Sequence, residues 1–162
     1  MLFRSRDGGL AVGQHWHVYL PVMLGSFVVM LPPVIMAERR GRIKAVFAGA
    51  VAVLLVGHLA MPWLLGSTAA IIGFLLVFFS AFNVLEAMLP SLTSKLAPPS
   101  AKGAAVGIYS SIQFLGTFAG AASGGFLYHR FGTAGVMIFD TALLAVWLML
   151  ALGMTAPRPL RT

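Results

Sequence analysis

Glu86 is the residue whose type and position most demand a chemical explanation. It lies in a long apolar stretch, where Ser80, Asn83, Glu86 and Pro90 recur at helical spacing and would share one helix face. An ionisable side chain in hydrocarbon costs about 2.5–3.5 kcal/mol on insertion scales, so its presence calls for a partner or a task. Three roles fit Glu86: a charge pair with Arg39 or Arg42 in a nearby basic loop, reversible proton binding, or a carboxylate that meets water at the membrane surface. Tyr109, Ser110 and Gln113 form a second polar group, suited to contact with a polar solute. Asp140 is the third candidate, for a structural hydrogen bond to a neighbouring helix or for proton relay. His58 reads first as a packing residue, although an imidazole titrates near neutrality. His15 and His17 are too sparse a pair to hold a metal, and nothing in the chain calls for a cofactor.

Five apolar segments must position these groups, at about 17–37, 45–64, 68–90, 104–126 and 133–154. A helix needs about 20 residues to cross roughly 30 Å of hydrocarbon, and each segment is long enough. Lipid offers the backbone no hydrogen-bond partners, so segments of this kind close their own bonds as helices. The expected fold is therefore an all-α membrane protein with five transmembrane helices. Composition agrees: 59% of residues are hydrophobic and 9% charged, against about 25% charged in a soluble domain. The net charge of +7 does not point to nucleic acid, because the basic residues sit at span mouths and not in one aromatic-interleaved patch. The absence of cysteine excludes disulfides and thiol chemistry. Residues 1–13 are short, polar and Gly-rich, unlike a cleavable signal peptide.

Orientation follows from the cations. Arg39, Arg40, Arg42, Lys44, Lys95, Lys102, Arg158 and Arg161 fall on one side, and Arg4, Arg6 and Arg130 on the other. The positive-inside rule places the larger set in the cytoplasm, with the N-terminus outside. In the first span, Pro21 and the pair Pro32 and Pro33 predict a kink. In the third, Phe78, Phe82, Leu85 and Leu89 form a greasy face. In the fourth, Gly116, Gly120 and Gly124 recur every four residues, a pattern that lets two helix backbones approach closely; tight packing on a neighbouring helix is expected there.

The loop after the first span reads Ala37-Glu38-Arg39-Arg40-Gly41-Arg42-Ile43-Lys44. It resembles the acidic-Arg-x-Gly-Arg signature that the major facilitator superfamily carries after its second helix and repeats after its eighth. Glu38 stands for the acid, Arg39 and Arg42 for the basic positions, and Gly41 for the turn; Val34 replaces the usual preceding glycine. The run from Asn83 through Glu86 to Pro90, with Pro98, Pro99 and Lys102 beyond, looks like the tenth helix and following loop of the YajR-like, drug:proton antiporter branch. The helix ending Gly124-Gly125-Phe126 resembles the eleventh, and 133–154 the twelfth. The resemblance implies part of a C-terminal six-helix bundle, lacking most of the seventh helix. Residues 1–16 would then be an outer loop and the remnant of that helix, 17–156 the bundle, and 157–162 a cytoplasmic tail.

What the resemblance implies for function is a fragment of a transporter in the inner membrane of a bacterium, exchanging small drug-like or amphipathic solutes for protons. Its partners would be the solute, protons, the bilayer and a missing N-terminal half, without which no transport is expected. Glu38, Arg39, Gly41, Arg42 and Glu86 would form a cytoplasmic gate network; Asn83, Glu86, Tyr109, Gln113 and Asp140 are the candidates for the substrate or proton pathway. Two other classes compete. A membrane enzyme would need a nucleophile–base or metal constellation, and neither a His–Glu metal motif nor a Gly-x-Ser-x-Gly elbow is present. A non-transporting scaffold would use the Gly116 to Gly124 face.

Overall fold

The structure, a computed structural model, describes residues 16–64 and 66–155. The expected outer segment up to residue 15 and the tail 157–162, with Arg4, Arg6, Arg158 and Arg161, lie outside the described residues. Four helices follow in order: α1 (Trp16–Arg39), α2 (Ile43–Leu64), α3 (Thr68–Leu96) and α4 (Lys102–Gly153), with a single 3₁₀ turn at Pro99–Ala101 before α4. Each is long and apolar enough to cross a membrane. Four helical elements thus stand where five spans are expected, the predicted fourth and fifth both falling within α4, which contains non-helical backbone at Gly132.

The ends of the helices have local causes. α1 runs unbroken through Pro21, Pro32 and Pro33; the predicted kink does not interrupt it, since membrane helices re-satisfy the few backbone groups a proline frees. It stops at Gly41, whose φ of 62° lies in the left-handed region that glycine adopts without steric cost. At the start of α3, Ser67 has extended backbone and accepts a hydrogen bond from the Ala70 amide, a side-chain cap. The third apolar segment closes at about residue 90, whereas the helix continues to Leu96. Pro90 is accommodated inside the helix, whereas Pro98 forces its predecessor Ala97 into extended conformation (ψ 143°), as proline does to the residue before it.

Cross-helix contacts give the direction of each pass. Gly25 lies against Leu76, Asn83 bonds Ser26, and Lys95 bonds Glu38. Residue numbers rise together, so α1 and α3 are parallel, and the two hydrogen-bonded pairs share one sequence offset of 57 residues. α2 follows α1 after the short connection 40–42 and runs back beside α3, with Gly57 against Phe74. In α4, Gln113 bonds Glu86 of α3, which sets its first part antiparallel to α3. His58 of α2 lies 3.3 Å from the Met137 carbonyl, and Phe47 packs edge-on against Trp147 at 6.0 Å. The second part of α4 therefore runs antiparallel to α2. Because α2 and α3 are themselves antiparallel, the chain must reverse within α4.

The reversal is at Gly132, where φ is 66° and ψ −161°, a combination available essentially only to glycine. An unbroken helix of 52 residues would extend about 78 Å at 1.5 Å per residue, more than twice the hydrocarbon thickness. Gly135 is needed beside the turn: a Cβ there would lie 2.5 Å from the Phe131 Cβ. The two arms share an apolar groove lined by Leu127, Phe131, Ile138 and Phe139.

The core gathers Val46, Phe47, Val51 and Leu54 of α2 with Val84, Leu85, Met88 and Leu92 of α3, closed by Ala37 of α1 and Ala151 of α4. The predicted greasy face of α3 is divided, with Leu85 in this core and Phe82 on the open surface. The first arm of α4 is barely covered: Phe114 is 74% exposed and Phe118 73%. Water would not tolerate that much aromatic surface, and acyl chains or further helices must cover it.

Among the described residues nothing packs on the small-residue stripe of α4. A Cβ added at Gly116, Gly120 or Gly124 would meet nothing within 4 Å, whereas one at Gly57 would meet Phe74 at 3.2 Å and one at Gly25 would meet Leu76 at 3.3 Å. Gly116, Gly120 and Gly124 follow Gln113 by three, seven and eleven residues and share its helix face, but beyond Gln113 no described helix comes close enough to enter the stripe. Gly57→Leu is therefore expected to cost about 1–3 kcal/mol by overpacking, and Gly120→Leu close to nothing in this chain. Detergent-resistant folding followed by size-exclusion chromatography measures both. Equal loss for the two variants would contradict the close contact of α2 with α3.

Candidate functional site

A polar seam runs along α3, one pair reaching to α1 and the next to the first arm of α4. Asn83 lies near the middle of α3, 15 residues after Thr68 and 13 before Leu96, about 20 Å from either end. Its amide donates to the Ser26 hydroxyl at 2.9 Å, and that hydroxyl donates to the Met23 carbonyl at 2.7 Å. Ser26 is fully buried. Both groups are satisfied, as a polar pair between membrane helices must be.

One turn further along α3 is Glu86, half-buried. The Gln113 amide nitrogen stands 3.1 Å from each of its carboxylate oxygens, a fork that fixes the carboxylate against α4. Tyr109 precedes Gln113 by four residues and so shares its helix face. The arrangement can hold a negative charge at the edge of an apolar wall. Among the described residues, no cluster of His, Asp or Glu is assembled for a metal ion. Asp140 is placed elsewhere, on the second arm of α4 that packs against α2. His58, on the facing helix, ties α2 to that arm through the Met137 carbonyl.

The loop acid is engaged differently from expectation. Glu38 accepts from the Lys95 ammonium at 2.7 Å and from the Ser91 hydroxyl at 3.4 Å. The predicted pairing of Glu86 with Arg39 or Arg42 is not formed. Its geometric cause is the length of α3: with the helix extending to Leu96, Glu86 lies ten residues before its end, about 15 Å deep. The parallel register sets Lys95, not Glu86, level with Glu38. Lys95 was missed because a span ending at Pro90 leaves it in a loop. The offset that Asn83 and Ser26 share with it would have found it, had the register been known.

Side chains of Lys95 and Glu38 remain 44% and 53% exposed, so their ion pair contributes little, roughly 0–1 kcal/mol. Lys95→Gln should lower thermal stability in detergent by no more than this, and salt should erase the difference. A larger, salt-resistant loss would mean that the pair is shielded from water.

Residues 11–162 match the profile of the Major Facilitator Superfamily. The chain is 38% identical over 151 residues to the inner membrane transport protein YajR of Escherichia coli (strain K12), covering 93% of this chain and 33% of that protein. An uncharacterized transporter of Buchnera aphidicola subsp. Baizongia pistaciae is 29% identical over 132 residues, covering 80% and 33%. A second, BU466 of Buchnera aphidicola subsp. Acyrthosiphon pisum, is 29% identical over 112 residues, covering 69% and 29%. The chain thus spans about a third of the length of the curated relatives it matches. No solved structure matches it.

Proposed function

Because this chain is a multi-pass membrane protein that belongs to the major facilitator superfamily, we propose that it forms one wall of a proton-coupled transporter that exports small amphipathic or drug-like solutes. The observation that carries the reading is the Glu86 carboxylate, held in an apolar bundle by Gln113 at 3.1 Å. A carboxylate in such surroundings is worth retaining where its protonation is coupled to a movement. Family transporters bind solute near the midplane between two halves that rock against each other. Asn83, Glu86, Tyr109 and Gln113 would face that cavity, with Asp140 outside it, on the arm packed against α2. The open first arm of α4 would receive the missing N-terminal half.

In this reading the arms of α4 are separate passes, the chain crosses the bacterial inner membrane five times, and the described C-terminal end faces the cytoplasm. The positive-inside count supports that orientation. Glu38 and Lys95 would brace the cytoplasmic mouth, beside the turn at Gly41 and the cations Arg39 and Arg42. A second reading, a non-transporting assembly partner, is favoured by one feature, the uncovered Gly116 to Gly124 face. Co-expression with a complementary N-terminal half, followed by reconstitution and proton-driven flux of a fluorescent lipophilic solute, separates the two. Flux abolished by Glu86→Gln supports the transporter; complex formation without flux supports the assembly partner.

A further inference from the structure

Four cations, Arg39, Arg40, Arg42 and Lys44, fall within six residues of one tight reversal. The reversal joins α1 to α2, both long enough and apolar enough to cross a bilayer, so these side chains emerge where two spans leave the hydrocarbon. Arg39, Arg40 and Arg42 are exposed. The acid beside them, Glu38, is occupied from another helix by Lys95 at 2.7 Å and by Ser91. Lys95 and Glu38 make up the one salt bridge among the described residues. The loop therefore presents concentrated positive charge that no described carboxylate neutralises. At the other end of α2, the turn 65–67 carries no charge at all.

We propose that this loop is a binding site for the phosphate headgroup of an anionic phospholipid. The chemistry matches on three points. Clusters of four or more Lys and Arg next to a membrane span attract anionic headgroups. Guanidiniums grip phosphate through two parallel hydrogen bonds. The site lies at headgroup depth, at the mouths of two spans, where lipid phosphates are concentrated and soluble anions are dilute. Engagement of Glu38 by Lys95 is what makes the site, since an acid turned towards the arginines would cancel part of their field. A bound headgroup would also sit beside the brace of α1 and α3, so lipid composition could bias the mouth. That last consequence rests on the transporter reading; the binding itself rests only on membrane insertion.

The test places the purified full chain in nanodiscs of phosphatidylcholine doped with fluorescent phosphatidylglycerol or fluorescent phosphatidylcholine, with energy transfer from tryptophan as the readout. The chain should enrich phosphatidylglycerol over phosphatidylcholine. The triple variant R39Q/R40Q/R42Q should lower that preference by at least about tenfold, while Arg130→Gln, near the far end of the bundle, leaves it unchanged. Circular dichroism keeps a misfolded triple variant from being read as a positive, and the single variant Arg40→Gln, with a partial loss, then carries the test. An undiminished preference in the folded triple variant, or equal loss with Arg130→Gln, overturns the site. Soluble glycerophosphate that displaces the lipid at micromolar concentration would show that the loop binds free phosphate esters and overturn the lipid assignment.

Discussion

Replacing Gly132 by valine is expected to disrupt the last third of the protein while leaving α1 to α3 in place. Gly132 has φ 66° and ψ −161°, a region that costs a residue with a side chain on the order of 1–3 kcal/mol, and a β-branched residue at positive φ is a severe outlier. Space is not the obstacle, because a Cβ there meets nothing within 4 Å; the penalty is conformational. The chain relieves it by straightening, and a straightened α4 would carry the second arm away from α2. Trp147 would leave Phe47, Ala151 would leave the core, and the Met137 carbonyl would lose His58. The absence of cysteine makes the measurement direct. Single cysteines introduced at Gly103 and at Thr155 should react from the same side of the membrane in the parent chain. In Gly132→Val, reaction at Thr155 should become two-sided. Unchanged same-side labelling would show that the reversal does not depend on glycine.

The second large effect is expected at Gln113. Gln113→Leu removes the amide that bonds both Glu86 oxygens and leaves a half-buried carboxylate facing apolar side chains. Losing one partner of such a pair costs about 1–3 kcal/mol, more when the remaining group is charged. Glu86→Gln, by contrast, keeps an amide-to-amide hydrogen bond and should be nearly neutral for stability. The double variant Glu86→Leu with Gln113→Leu should recover most of what Gln113→Leu loses, because both polar groups are then gone. Unfolding of the purified chain in detergent measures this cycle. Additive losses would show that the two residues act independently and would remove the seam from the functional argument. In a reconstituted transporter the same double variant should remain inactive despite its recovered stability, which distinguishes a functional carboxylate from a structural one.

The membrane character, the helical fold and the approximate position of each apolar segment were legible in the chain because lipid imposes them locally. Twenty apolar residues must form a helix in hydrocarbon whatever their neighbours, and Gly41, Ser67 and Pro98 act through their own backbones. The acid-Arg-Gly-Arg loop and the run around Glu86 likewise identified the family from adjacent residues. Boundaries were less legible: the apolar segment closes at about Pro90, but a proline inside a long membrane helix costs few bonds, and α3 ran on for six residues beyond it.

Partners were decided by the tertiary structure. The Gly116 to Gly124 stripe reads as a packing face, yet no described helix enters it, because spacing shows that a backbone can be approached and not which neighbour arrives. Glu86 could be seen to need a partner, but choosing Gln113 over Arg39 required the depth of α3 and the position of α4. Glu38 found Lys95 for the same reason: two parallel helices at one register bring level residues 57 apart in sequence. Chemistry and hydropathy belong to individual residues and survive in a string of letters. Register, depth and the reversal at Gly132 belong to pairs of helices and arise only when they pack.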